Sequence, residues 1–138
     1  MKRKIKNGFS HKRVVKRGNM ILEKAMKIKK GDSFFIKYSI SKLDYDNITV
    51  NDISVSVKIY PYEDFIKQDF SEDRTIAIND YEVNTDNDLL LVLVSDEITD
   101  QLSVGKYVIS SRFVTSDLNL KFQDAFVMEV ERKEFPDI

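Results

Sequence analysis

The 138-residue sequence predicts an all-β fold, an antiparallel Greek-key sandwich of about seven strands over residues 20–138, preceded by an extended basic arm over residues 1–19. Three observations lead there. From Met20 on, apolar residues recur mostly with period two, and no long stretch recurs with period 3.6. The segments between those runs are rich in Asp, Asn and Ser, as turns are. Charge is also segregated: residues 1–30 carry twelve Lys/Arg against the single acid Glu23, while residues 31–138 carry ten bases against twenty-two acids, although the whole chain nets −1.

The arm reads MKRKIKNGFSHKRVVKRGN, with eight Lys/Arg and no acid. Its large apolar residues, Ile5, Phe9, Val14 and Val15, follow neither a helical stripe nor a sustained alternation, and Gly8 and Gly18 interrupt any regular element. Alone in water such a segment is expected to be disordered, because it cannot bury enough surface to offset its ordering entropy. Two readings stay open. One is a solvated basic tail, or a start-site artefact with Met20 as the alternative start. The other, favoured by the charge split, is a docking arm that orders against an anionic partner. Its cations would be Lys2, Arg3, Lys4, Lys6, Lys12, Arg13, Lys16 and Arg17, with Ile5, Phe9 and Val14 as apolar anchors.

The strands follow in order. Met20, Leu22, Met26 and Ile28 share one parity, with Lys24 as the exception, and Gly31-Asp32 makes a turn. Phe34, Ile36, Tyr38 and Ile40 then alternate with Phe35, Lys37, Ser39 and Ser41. Ile53, Val55, Val57 and Ile59 alternate with Ser54, Ser56, Lys58 and Tyr60, and Pro61 ends that run. Residues 74–79 form a short strand carrying Ile76 and Ile78. Leu89–Val94 is a continuous apolar run, as for a strand in a sandwich core. Ser95 or Asp96 can cap a single helical turn that holds Ile98 and Leu102 inward. Gly105 then frees the backbone before a strand with Tyr107, Ile109 and Phe113 on one face. Phe126, Met128 and Val130 mark the last strand. Seven short strands over some 115 residues fit an immunoglobulin-type sandwich, here without the Cys and Trp of antibody domains. Tyr107 is a candidate corner tyrosine, its hydroxyl bonding to backbone.

Two connections are long, residues 61–73 and 80–88. The first holds Tyr62, Phe65, Ile66 and Phe70, which either fold over the end of the sandwich or form a contact surface for a partner.

The sequence offers no catalytic constellation. With no cysteine there is no disulfide framework, thiolate metal site or cysteine nucleophile. His11, the only histidine, sits beside Lys12 and Arg13, whose charge disfavours its protonation, and it has no second imidazole with which to share a metal. Four scattered glycines make no phosphate loop. Asp80–Asp88 resembles a calcium loop in composition but lacks the spacing and the glycine of one. No cofactor or metal is therefore expected. No stretch approaches the ~18 apolar residues of a membrane span. No apolar core follows Lys2–Lys6, so the N-terminus is not read as a secretory signal.

The segments KIKKGDSFFIKYSI, ITVNDISVSVKIYP, LLLVLVSDEITDQLSVGKYVIS and DAFVMEVERKEF together resemble the immunoglobulin-like β-sandwich domains of tailed-phage virion proteins, such as the N-terminal domain of baseplate upper proteins. The matching residues are Gly31, Asp32, Ser33 and Phe34 in a turn after a basic strand, then Leu91, Leu93, Thr99, Leu102, Gly105 and Tyr107. The resemblance covers roughly residues 20–133 and marks turn and core positions. It implies a non-enzymatic virion module, made in the host cytoplasm and carried in the particle. The module would be an auxiliary capsid, decoration or tail/baseplate adaptor protein that docks other virion proteins or copies of itself. The large host-binding region that usually follows the family domain has no counterpart here.

Two alternatives remain. A host-surface or glycan-binding module would use the long loops, with Tyr62 or Tyr81 as contacts. Nucleic-acid binding through the arm ranks behind a protein partner, because Phe9 is the arm's only aromatic ring.

Overall fold

A computed structural model of the chain describes residues 9–15, 24–40, 53–84, 89–115 and 121–132. In chain order the elements are β1 (Phe9–Val15), β2 (Lys24–Lys29), β3 (Phe34–Ile40), β4 (Ile53–Pro61), the short helix α1 (Tyr62–Ile66), a 3-10 turn (Glu72–Arg74), β5 (Ile76–Ile78), β6 (Tyr81–Asn84), β7 (Leu89–Val94), helix α2 (Asp96–Gln101), β8 (Gly105–Thr115) and β9 (Lys121–Glu131). The strands form two sheets, one ordered β1-β3-β7-β6 and the other β2-β9-β8-β4-β5.

The period-two runs become the two inner faces. Phe34, Ile36, Tyr38, Leu90, Val92 and Val94 from the first sheet meet Val57, Ile59, Ile109, Phe113, Phe126, Met128 and Val130 from the second in one buried cluster. Burying each large side chain of this kind contributes about 1.5–3 kcal/mol. The outward positions of β4, Ser54, Ser56 and Lys58, are exposed, as the alternation requires. Met26 and Ile28 are buried between the exposed Lys27 and Lys29, and the register slips between Lys24 and Met26, where the sequence parity also breaks.

Three expectations are corrected. The sheets are mixed, not purely antiparallel: β1 runs parallel to β3, and β2 runs parallel to β9. Neither pair is joined by a hairpin, since β2 lies in the opposite sheet from β1 and β3, and β2 and β9 stand far apart in the chain. Nine strands, not about seven, occur among the described residues, the additions being β1 and the short β6. The segment read as a separate arm supplies β1, paired with β3 from Phe9↔Phe34 to Val15↔Ile40. The inward positions of β1 include His11 and Arg13, so its alternation is not apolar and the sequence pattern hides it.

The expected helical turn is present. Ser95 caps α2 by accepting from the Ile98 amide, and Leu102 is buried below it. Gly31 (φ 88°) closes the β2–β3 turn, in which the Asp32 amide donates to the Lys29 carbonyl at 2.9 Å.

Candidate interaction surfaces

β1 is fastened to the second sheet by a charged clasp. Arg13 Nε donates to Asp124 Oδ2 at 3.0 Å and Nη2 donates to Oδ1 at 2.9 Å, with a further contact to the Ala125 carbonyl at 3.3 Å. The guanidinium lies 4.8 Å from the Phe126 ring centroid, and the His11 ring lies 4.7 Å from the same ring. A bidentate, mostly desolvated Arg–carboxylate pair is the strong form of this interaction. Next to it, the buried Tyr38 hydroxyl of β3 is hydrogen-bonded to Ser111 Oγ of β8, a second polar link between the sheets. Burial pushes the Tyr38 phenol well above its ordinary value; the Ser111 bond acts the other way. Val15, 1% exposed, ends β1 inside the core.

The motif segments of the sequence meet in space. Thr99 of α2 is buried, and its Oγ1 donates to the Asp32 carbonyl at 2.7 Å, tying α2 to the β2–β3 turn. Phe34 follows that turn into the core. Tyr107 donates its hydroxyl to the Ser103 carbonyl at 2.8 Å, the backbone bond expected of a corner tyrosine; burial raises its phenol pKa, and this bond partly offsets the rise. Gly105 precedes it with φ 154°, a conformation side chains disfavour.

The loop after β4 covers the outer face of the five-stranded sheet. Tyr62 and Phe65 of α1 pack on Val108, Ala125 and Val127. The helix ends with Gln68 in the left-handed region (φ 58°), the Gln68 amide bonding to the Phe65 carbonyl and the Asp69 amide to the Asp64 carbonyl, a Schellman closure. Arg74 returns to this turn, 3.1 Å from Asp64 and 3.0 Å from Asp69. Tyr60, Phe65 and Phe70 form a ring triangle with centroids 5.1–5.9 Å apart. Phe70 and Ile66 remain 51% and 53% exposed.

Two concavities flank α1. One, of about 480 Å³, is lined by residues 61–64, Arg74 and residues 104–107, and its cations are engaged: Arg74 with the two aspartates, Lys106 over the Tyr62 ring at 5.9 Å. The other, of about 290 Å³, has Tyr60, Phe65 and Phe70 on one side and Ser56, Lys58, Ser110, Arg112 and Gln123 of the sheet on the other. Strand pairing assembles its floor, with Ser56 opposite Arg112, Arg112 opposite Gln123, and Lys58 opposite Ser110.

The sequence-predicted sites thus separate. Lys2, Arg3, Lys4, Ile5, Lys6, Lys16 and Arg17 lie outside the described residues. Phe9 belongs to β1. Lys12 and Val14 are exposed on β1, whereas Arg13 is engaged by Asp124. Tyr62 and Phe65 are half-buried on the sheet, and Tyr81 lies on β6 of the other sheet. Of the acidic stretch 80–88, residues 81–84 form β6 and residues 85–88 lie outside the described residues. Lys58, Tyr60, Arg112 and Gln123 were not singled out by sequence reasoning. Period two puts Lys58 and Tyr60 on the outward face, but which strands stand beside β4 is not written in that pattern.

No family model matches the sequence. No curated protein matches it either. Among solved structures, the chain is similar to the N-terminal domain of phage TP901-1 ORF48 at 15% identity and TM-score 0.49, over 88% of this chain and 98% of that one. It is similar to the Listeria monocytogenes internalin-like protein lmo2027 at 19% identity and TM-score 0.43, over 77% of this chain and 27% of that one. It is also similar to the endo-β-1,4-mannanase from Thermotoga petrophila at 15% identity and TM-score 0.49, over 80% of this chain and 18% of that one.

Proposed function

We propose that the chain is a non-enzymatic structural protein of a tailed-phage particle, an auxiliary capsid, decoration or tail/baseplate adaptor protein that docks other virion proteins or further copies of itself. The observation that carries this reading is the Thr99–Asp32 bond. It joins the two segments, 67 residues apart, on which the resemblance to phage virion domains rests, so their shared residues act as one turn-and-helix unit. The order β3-β7-β6 facing β2-β9-β8-β4-β5 supports an immunoglobulin-type Greek key for the body. Because Arg13 is held by Asp124, docking falls to the other cations of the segment, Lys2, Arg3, Lys4, Lys6, Lys16 and Arg17, with Lys12 as an exposed residue of β1. Acidic protein surfaces, including the body of another copy, suit that cluster.

The test is fractionation of particles from the source strain on a density gradient with quantitative mass spectrometry. The expected result is a constant ratio of this chain to the major particle proteins across the band. Deleting residues 1–8 should abolish that association while leaving a folded body. A chain recovered only in the soluble fraction, with intact particles lacking it, overturns the proposal.

A further inference from the structure

We propose that the 290 Å³ groove beside α1 is a binding site for an acidic saccharide, a sugar ring carrying a carboxylate. The first argument is charge. Residues 31–138 are strongly acidic in total, yet the groove is lined by two cations, Lys58 and Arg112, and by no Asp or Glu. Both cations are exposed, and neither forms an ion pair among the described residues. Asp64 and Asp69, on the α1 side, are engaged by Arg74 at 3.1 and 3.0 Å.

The second argument is shape and chemistry. The volume sits near the lower end of the roughly 300–1,000 Å³ typical of ligand sites, which suits one or two sugar rings. A sugar has an apolar C–H face and a hydroxyl-bearing rim. The rings of Tyr60, Phe65 and Phe70 provide an apolar wall for the face. Ser56, Ser110 and Gln123 provide donors and acceptors for the rim. The Arg112 fork takes a carboxylate in bidentate fashion, and Lys58, diagonal to it across the β4–β8 pair, adds a second positive charge. The neighbouring concavity shares the aromatic character but has spent its cations on Asp64, Asp69 and Tyr62.

The experiment is an NMR titration of the full chain with an oligogalacturonate and, separately, a hyaluronan oligosaccharide. Amide shifts should cluster at Lys58, Arg112 and Phe70. Affinity should fall about tenfold in each of Arg112→Ala, Lys58→Ala and Phe70→Ser, a loss of about 1.4 kcal/mol per substitution. Lys58 and Arg112 are exposed, so their substitutions should leave the thermal transition within a degree or two of wild type, while Phe70→Ser also removes ring contacts with Tyr60 and Phe65 and should lower it by a few degrees without unfolding the chain. Methyl-esterified oligogalacturonate, which keeps the sugar and loses the charge, should bind at least about tenfold more weakly. No shifts with either acidic sugar overturn the proposal. So do equal binding of the methyl ester and tighter binding of an acidic peptide or an oligonucleotide at the same residues. Particle association and sugar binding are read by separate measurements, so either assignment can fail alone.

Discussion

β1 and α1 are both additions to the same two-sheet body, and they are attached by opposite means. β1 lies along β3, is clasped by Arg13 to Asp124, and ends on a buried valine. α1 lies on the outside of the other sheet through Tyr62 and Phe65, leaves Ile66 and Phe70 exposed, and has a groove at its side. The first attachment uses its charge internally, so its arginine is not available to a partner. The second leaves apolar and cationic groups facing water, which folding alone does not require. Basic sequence at the N-terminus is therefore poor evidence of a free binding arm over its whole length, and an aromatic loop in the middle of the chain is the better place to look for recognition.

The comparison breaks most visibly if β1 is removed. Deleting residues 1–19 unpairs the outer edge of β3, leaves Asp124 without its arginine and discards Val15; the expected loss is on the order of 4–5 kcal/mol in urea unfolding. Arg13→Ala alone should cost about 3 kcal/mol, because Asp124 stays mostly desolvated with its partner gone, and the double change Arg13→Met with Asp124→Leu should recover most of that. If the single substitution is silent, the clasp is a surface pair of little worth.

A smaller effect comes from the neighbouring Tyr38–Ser111 link. Tyr38→Phe should cost about 1–3 kcal/mol by leaving the buried Ser111 hydroxyl unsatisfied, and adding Ser111→Ala should restore part of it. Because burial raises the Tyr38 pKa, the unfolded chain gives up that proton first as pH rises. Its contribution is therefore constant below the ordinary tyrosine value of 10.0 and declines above it, so Tyr38→Phe should flatten the alkaline fall in stability. The smallest expected effect concerns α1. Gln68→Gly relieves a left-handed residue at the helix end and should raise stability by up to about 1 kcal/mol in thermal unfolding, without altering the groove.

Much of the body was legible in the sequence, and the reasons differ by element. β3 and β4 alternate because one face of each is core and the other is more exposed, while β8 and β9 keep a period-two core face although their outward Val108, Ala125 and Val127 lie under α1. Ser95, Ile98 and Leu102 gave α2 through cap and spacing. β1 escaped because two of its inward positions are His11 and Arg13, whose burial depends on Asp124 and Phe126 more than a hundred residues away. β6 escaped because Tyr81–Asn84, set among acids, reads as a loop until Leu89–Val94 is there to pair with it. The four aromatic and aliphatic residues of the 61–73 loop were identified as a unit. The cations beside them were not, since Arg112 reaches Ser56 and Gln123 only through pairings of β8 with β4 and β9.

The most direct test of the contrast between β1 and α1 is amide hydrogen exchange on the full chain, read residue by residue. The expected result is that the amides of residues 10–15 that bond to β3 exchange slowly, with protection comparable to the β3–β7 pair, and that Arg13→Ala lowers their protection selectively. Exchange of residues 10–15 at the rate of an unstructured peptide, while β3 and β7 stay protected, would show that β1 is not part of the folded body and would restore the whole basic segment to the role of a free arm.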